Sequence, residues 1–114
     1  MKKYAIFTLL LVLLSAAASG LKAQAAGGDA KAGKALYTAQ CAMCHGAAGK
    51  GDGVAGKSLK PAPRDFSKGK FLYGSSDAQI AAFIKKGKAP MPGYASLSDK
   101  QLKDLVAFIR SVKK

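Results

Sequence analysis

The sequence predicts an all-α fold: three main helices with long irregular loops wrapped around a large central group. Three observations predict it. Apolar residues recur at helical spacing in three segments, and no stretch alternates apolar and polar residues as a half-buried strand would. The loops between those segments are rich in glycine and carry no apolar period. Finally, a chain of 114 residues holds one domain at most, and so small a core is marginal without a bridge, a metal or a cofactor. Long loops argue against an element assignment unless they have something to wrap.

The N-terminus reads as an address. Met1-Lys2-Lys3 is basic, Ala5 to Ala18 is uncharged around a Leu9 to Leu14 centre, and Ala23-Gln24-Ala25 offers small residues at the two positions a signal peptidase reads. Residues 1–25 are therefore expected to be a secretory signal peptide and residues 26–114 the functional domain, exported to the periplasm. An uncleaved anchor is the alternative, because Ala5 to Leu21 sits near the lower limit of about 17 residues for spanning a bilayer. Cleavage leaves no segment for stable membrane insertion. It also removes Lys2, Lys3 and Lys22, so the formal net charge falls from +13 to +10.

The first helix is expected from Asp29 to Cys44. Asp29 is a fitting N-cap, and Ala30, Gly33, Tyr37, Cys41 and Cys44 share one face. The second is expected over Asp77 to Lys86. Ser76 and Gln79 have capping-box spacing, Ile80, Phe83 and Ile84 form the apolar stripe, and Gly87 is the stop. The third is expected over Asp99 to Val112. Ser98 and Gln101 repeat the capping box, and Leu97 and Leu102 are placed as a hydrophobic staple. Leu102, Leu105, Val106 and Ile109 share a face with Phe108 on its flank, and Lys113 and Lys114 suit the negative end of the helix dipole. The irregular stretches are Gly46 to Gly74 and Lys88 to Ser96.

The chemistry lies in Cys41-Ala42-Met43-Cys44-His45. The spacing C-x-x-C-H is a c-type haem attachment signature. Two thiols three residues apart on a helical turn can reach two vinyl groups of one porphyrin, and His45 projects on the same side to approach the iron. A thioredoxin-type motif would need an α/β setting, and structural zinc would need four Cys or His ligands where this chain has three. A disulfide across the two cysteines would leave His45 unexplained.

The iron then needs a sixth ligand or an open position. His45 is the only histidine, Met43 lies between the two cysteines, and Met1 leaves with the leader. Met91 remains, on the extended strap Pro90-Met91-Pro92. A methionine used as core filler is the plainer reading, but a position outside any helix fits it poorly. His/Met ligation would raise the reduction potential.

The chain resembles the small monohaem class I c-type cytochromes over nearly all of residues 28–114. The resemblance runs through Gly33 and Tyr37, Cys41 to Gly46, Gly49 to Gly53, Leu59 to Phe66, Tyr73-Gly74-Ser75, Met91-Pro92, Leu97-Ser98-Asp99 and Leu105 to Arg110. It implies the cytochrome c fold and one covalently bound haem c. It implies that the first and last helices cross at Gly33, with Tyr37 near Leu105 and Phe108, and that Leu59 and Ile84 belong to the porphyrin wall. It further implies a proline carbonyl that accepts a hydrogen bond from the ligand histidine, Pro61 first and Pro63 second. Phe108 stands at the usual aromatic position of the last helix without a hydroxyl.

An iron filled by His45 and Met91 has no substrate site, so the expectation is a soluble one-electron carrier and not an enzyme. The alternative is a haem-bearing electron-transfer subunit of an oxidoreductase complex. Lys57, Lys60, Lys85, Lys86 and Lys88 would steer the carrier, a monomer, to acidic surfaces on redox partner proteins. Nucleic-acid binding has only the charge in its favour, with no recognised motif.

Overall fold

Four helices and one short 3-10 turn form among residues 27–114, the part of the chain that the computed structural model describes. The leader expected at residues 1–25 lies outside the described residues. Helix α1 spans Ala30–Gln40, and the Asp29 carboxylate caps it by accepting from the N–H groups of Lys31 (2.9 Å) and Ala32 (3.3 Å). The helix expected to continue to Cys44 instead breaks at Cys41, whose φ of −121° and ψ of −33° leave the helical region. A separate single turn follows, α2 over Ala42–His45, ended by Gly46 at φ 82°. The cause of the offset lies across the turn. The buried Tyr37 hydroxyl donates to the Gly46 carbonyl at 2.6 Å and draws the end of α2 back over α1.

Helices α3 (Asp77–Lys86) and α4 (Asp99–Ser111) form at their expected positions. Both capping boxes close. Ser76 Oγ accepts from Gln79 N–H at 3.1 Å and Ser98 Oγ from Gln101 N–H at 3.2 Å, while each glutamine reaches back to the cap's own N–H. The 3-10 turn over Phe66–Lys68, capped by Asp65, was not expected from the sequence. Among the described residues no strand forms. Lys88 and Met91 make one isolated antiparallel bridge, so the fold is all-α. No helix among the described residues is long and apolar enough to cross a membrane.

Helices α1 and α4 make the main packing contact, and α3 lies against α4. Tyr37, Leu105 and Val106 are fully buried at the crossing, and Tyr37 meets Phe108 with ring centroids 4.8 Å apart. Burying each aliphatic side chain of this size contributes about 1.5–3 kcal/mol. The crossing needs a residue without a side chain at Gly33, since a Cβ there would collide with the backbone carbonyl oxygen of Asp104. The Asp104 carboxylate fastens the same junction. It is 6% exposed, and it accepts from the Asp29 N–H at 2.8 Å and from Lys100 Nζ at 2.8 Å. At the other end of α4, Arg110 holds the start of α3 through the Asp77 carboxylate and the Ser75 carbonyl.

Two outcomes follow from this junction. Gly33→Ala is expected to force the two backbones apart and cost about 1–3 kcal/mol, the usual scale for overpacking, read from denaturant midpoints of the haem-loaded protein. The second concerns pH. Hydrogen bonds from Lys100 first and from the Asp29 N–H second hold the Asp104 carboxyl below its usual range. A depressed folded pKa gives stability that is present above about pH 4 and lost as pH falls through the folded value. Asp104→Asn is therefore expected to flatten the acid limb of a stability-against-pH curve, and an unchanged limb would show that other carboxylates set it.

Candidate cofactor site

The loop after α2 folds back over the turn that carries the cysteines and the histidine. The N–H groups of Gly51, Gly53 and Ala55 donate to the carbonyls of His45 (2.7 Å), Cys44 (3.1 Å) and Met43 (3.0 Å), so the end of α2 keeps no idle acceptors. Beyond that wrap opens a cavity of about 430 Å³. Cys41, Cys44, His45 and Met91 all line it, although Met91 is 46 residues beyond the histidine. Its walls are mainly apolar and include Leu59, Ile80, Phe83, Ile84 and Ile109. Among the described residues, Arg64 and Lys88 are the charged members of the lining, and no Asp or Glu belongs to it.

Burial decides the protonation of the donors. It pushes the Cys41 thiol up to about 11, with Cys44 alongside adding to the rise, so Cys41 is a neutral thiol at neutral pH. Burial also pulls the His45 imidazole below its ordinary value, against the opposing effect of a hydrogen bond to the Arg64 carbonyl. That bond, 3.1 Å long, fixes the tautomer. A carbonyl can only accept, so Nδ1 carries the proton and Nε2 keeps its lone pair.

The acceptor is a correction to the expectation that named Pro61 or Pro63. Phe66 N–H donates to the Gly49 carbonyl at 2.7 Å, which sets the loop so that Arg64 offers its carbonyl to the ring. The Pro63 carbonyl points at Gly51, where a Cβ would come within 2.5 Å of it, and Pro61 and Pro63 serve as cavity wall.

Met91 is half-buried on a doubly anchored strap. Lys88 and Met91 exchange N–H···O=C bonds of 3.1 and 2.9 Å. Tyr94 then ties the strap to two helices, its N–H donating to the Ile84 carbonyl at 3.0 Å and its hydroxyl to the Gln40 carbonyl at 3.0 Å. Three further features had no signal in the sequence. Phe66 stacks on the His45 ring, Tyr73 stacks on Phe83 with ring planes 3° apart, and Lys88 Nζ sits 5.3 Å from the Tyr73 ring centre. Each pair joins residues 10 to 21 positions apart, and at least one member, Phe66 or Tyr73, lies outside the helices the sequence predicts. Phe108 offers no hydroxyl, and the hydroxyl of the ring packed against it, Tyr37 on α1, donates to the Gly46 carbonyl.

A family model described as "Cytochrome C oxidase, cbb3-type, subunit III" matches residues 28–109. The chain belongs to this family of c-type cytochromes. Cytochrome c6 of Limnospira maxima is 36% identical to it over 89 residues, 72% of this chain and 91% of that protein. A thiosulfate dehydrogenase of Allochromatium vinosum is 40% identical over 85 residues, which are 71% of this chain but 30% of the enzyme. Among solved structures, cytochrome c6 from the diatom Phaeodactylum tricornutum superposes with a TM-score of 0.55 at 25% identity, over 74% of this chain and 93% of that one. The cytochrome carries covalently bound haem c and functions in electron transfer. The cavity fits that group: two thiols, a neutral imidazole and a thioether face an apolar volume in the range of ordinary cofactor pockets.

Proposed function

We propose that this cytochrome is a soluble one-electron carrier, with its haem attached through Cys41 and Cys44 and its iron held between His45 and Met91. One observation carries the reading: the imidazole and the single thioether on the Pro90–Pro92 strap line the same cavity as both cysteines. Bound there, the haem supplies reversible one-electron chemistry at its iron. The chain's own residues do the rest. Cys41 and Cys44 would anchor the group, and the Arg64 carbonyl holds the His45 proton on Nδ1, which leaves the Nε2 lone pair available to the iron. Met91 brings a soft donor that favours the reduced state. The mainly apolar walls would limit the water around the bound group.

Export belongs to the same proposal. The leader pattern of residues 1–25 directs the protein to the periplasm, where it acts as a monomer. Lys57, Lys60, Lys85, Lys86 and Lys88 are all exposed, and Lys88 also lines the cavity, so positive charge borders the route to the iron. Such a surface selects acidic patches on redox partners. A second reading, a haem-bearing subunit of an oxidoreductase complex, draws on the thiosulfate dehydrogenase, of which a similar stretch forms 30%.

Covalent attachment is tested by haem-stained denaturing electrophoresis after acid-acetone extraction. The band is expected to survive in the parent protein and to weaken in Cys41→Ser and Cys44→Ser. Met91→Ala is expected to abolish the weak near-infrared band of sulfur ligation in the oxidised protein. It should also lower the midpoint potential by on the order of 0.1 V, within the ~0.8 V that axial ligands span. An unaltered spectrum and potential would assign the sixth position to another group. Electron transfer to the partner is expected to slow as salt shortens the Debye length to about 10 Å at 0.1 M. Charge reversal at Lys88, which lines the cavity, or at Lys85 or Lys86, which end α3 just before the Met91 strap, should mimic the effect, and reversal at Lys113 or Lys114, beyond the end of α4, should matter less. Stopped-flow rates that stay flat with salt would favour the docked subunit.

A further inference from the structure

We infer that Phe66 is the positioning residue of His45: its ring fixes the plane of the imidazole, and a stacked column through Phe71 braces that plane against α4. The inference rests on the reading of His45 as an iron ligand.

A single hydrogen bond does not fix an imidazole. The bond from Nδ1 to the Arg64 carbonyl sets where one nitrogen sits and which tautomer is present. The ring can still rock about that bond, because the outer torsion of histidine has a broad, shallow profile. Phe66 removes this freedom. Its ring lies 4.5 Å from the imidazole centre with the planes 17° apart, so rocking of the imidazole would drive its edge into the phenyl face. Phe66 is itself immobile. It is 9% exposed, its N–H is bound to the Gly49 carbonyl at 2.7 Å, and it opens a 3-10 turn whose cap Asp65 accepts from Ser67 N–H at 2.9 Å and from its hydroxyl at 2.6 Å.

The column continues outward. Phe71 stacks on Phe66 with ring centres 6.1 Å apart and planes 24° apart, and the Arg110 guanidinium lies 5.7 Å from the Phe71 ring centre. Arg110 is in turn held by the Asp77 carboxylate and the Ser75 carbonyl. Phe66 and Arg64 thus reach the imidazole from two directions, one on its face and one in its plane, and they belong to one short segment. A segment that served only to fill space would need neither contact at that angle.

In a low-spin oxidised haem the plane of an axial imidazole sets how unpaired spin spreads over the porphyrin, and the paramagnetic NMR shifts of the four ring methyls report it. The test compares the oxidised haem-loaded parent with Phe66→Leu and Phe66→Tyr, with the near-infrared sulfur band as a check that Met91 is undisturbed. Phe66→Leu is expected to alter the order or spread of the methyl shifts with the sulfur band retained, and Phe66→Tyr, which keeps the ring, to restore the parent pattern. A parental pattern in folded Phe66→Leu overturns the inference. Should that variant fail to accumulate, Phe71→Leu decides. A smaller change in the same sense is expected, and an unchanged pattern overturns the inference. Since the chain has one histidine, ¹⁵N-histidine labelling keeps the two readings apart. Ring nitrogens without a hyperfine shift overturn the ligation of His45 and the inference with it. Shifted nitrogens with an unmoved methyl pattern overturn the positioning role alone.

Discussion

The interior of this protein cannot close on itself, and the rest of the structure answers to that. Among the described residues, four of the nine buried hydrophobic core residues, Phe66, Ile80, Ile84 and Ile109, also line the cavity. They belong at once to the helix packing and to the wall of the cofactor pocket. The haem therefore completes a core that α1, α3 and α4 leave open, and it takes the place a further helix would hold in a self-sufficient bundle. This accounts for the long glycine-rich loop. Its backbone makes its hydrogen bonds to the carbonyls of Met43, Cys44 and His45, so it closes the pocket without burying unpaired polar groups.

The charge pattern follows from the same arrangement. A haem brings carboxylates and an iron whose charge changes by one. The pocket meets it with Arg64 and Lys88 and with no acidic side chain in its lining. Arg64 is half-buried and Lys88 exposed, so water weakens their effect, but their positive charge disfavours the oxidised iron, and a thioether from Met91, the proposed ligand, would act in the same direction. Three of the six aspartates are placed for structure. Asp29 caps α1, Asp65 caps the 3-10 turn, and Asp104 ties α4 to the start of α1.

What the sequence revealed and what it hid divides by the range of the causes. Helices α3 and α4 were legible because their starts are written within four residues, as Ser76 with Gln79 and Ser98 with Gln101. The motif Cys41-x-x-Cys44-His45 was legible for the same reason. Met91 could be reached by elimination as a candidate ligand, in a chain with one histidine and three methionines, and the fold sets it in the wall of the cavity. The break at Cys41 was not legible, since apolar spacing continues through it and the hydrogen bond from Tyr37 to Gly46 that shapes the turn spans it. Likewise the acceptor of the His45 proton is Arg64 and not a proline. A backbone carbonyl carries no side-chain signature, and its direction depends on how Phe66 pairs with Gly49. Phe66 itself reads as an ordinary loop aromatic until the fold sets it against the imidazole.

The two proposed iron ligands are mounted on different kinds of support, and the difference suits an electron carrier. His45 stands at the end of α2, bonded in its plane and stacked on its face. Met91 stands on a strap held by its own bridge to Lys88 and by Tyr94, which grips α3 through the Ile84 carbonyl and α1 through the Gln40 carbonyl. Outer-sphere transfer is fast when neither ligand must move as the iron changes charge. A chain this small cannot supply such stiffness through bulk packing, so it supplies it through hydrogen-bonded anchors. Those anchors reach α1 and α3, and both helices pack on α4, so the close crossing of α1 and α4 at Gly33 helps to hold both residues in one frame. Rigidity at the metal and close approach at the crossing are thus two consequences of one packing decision.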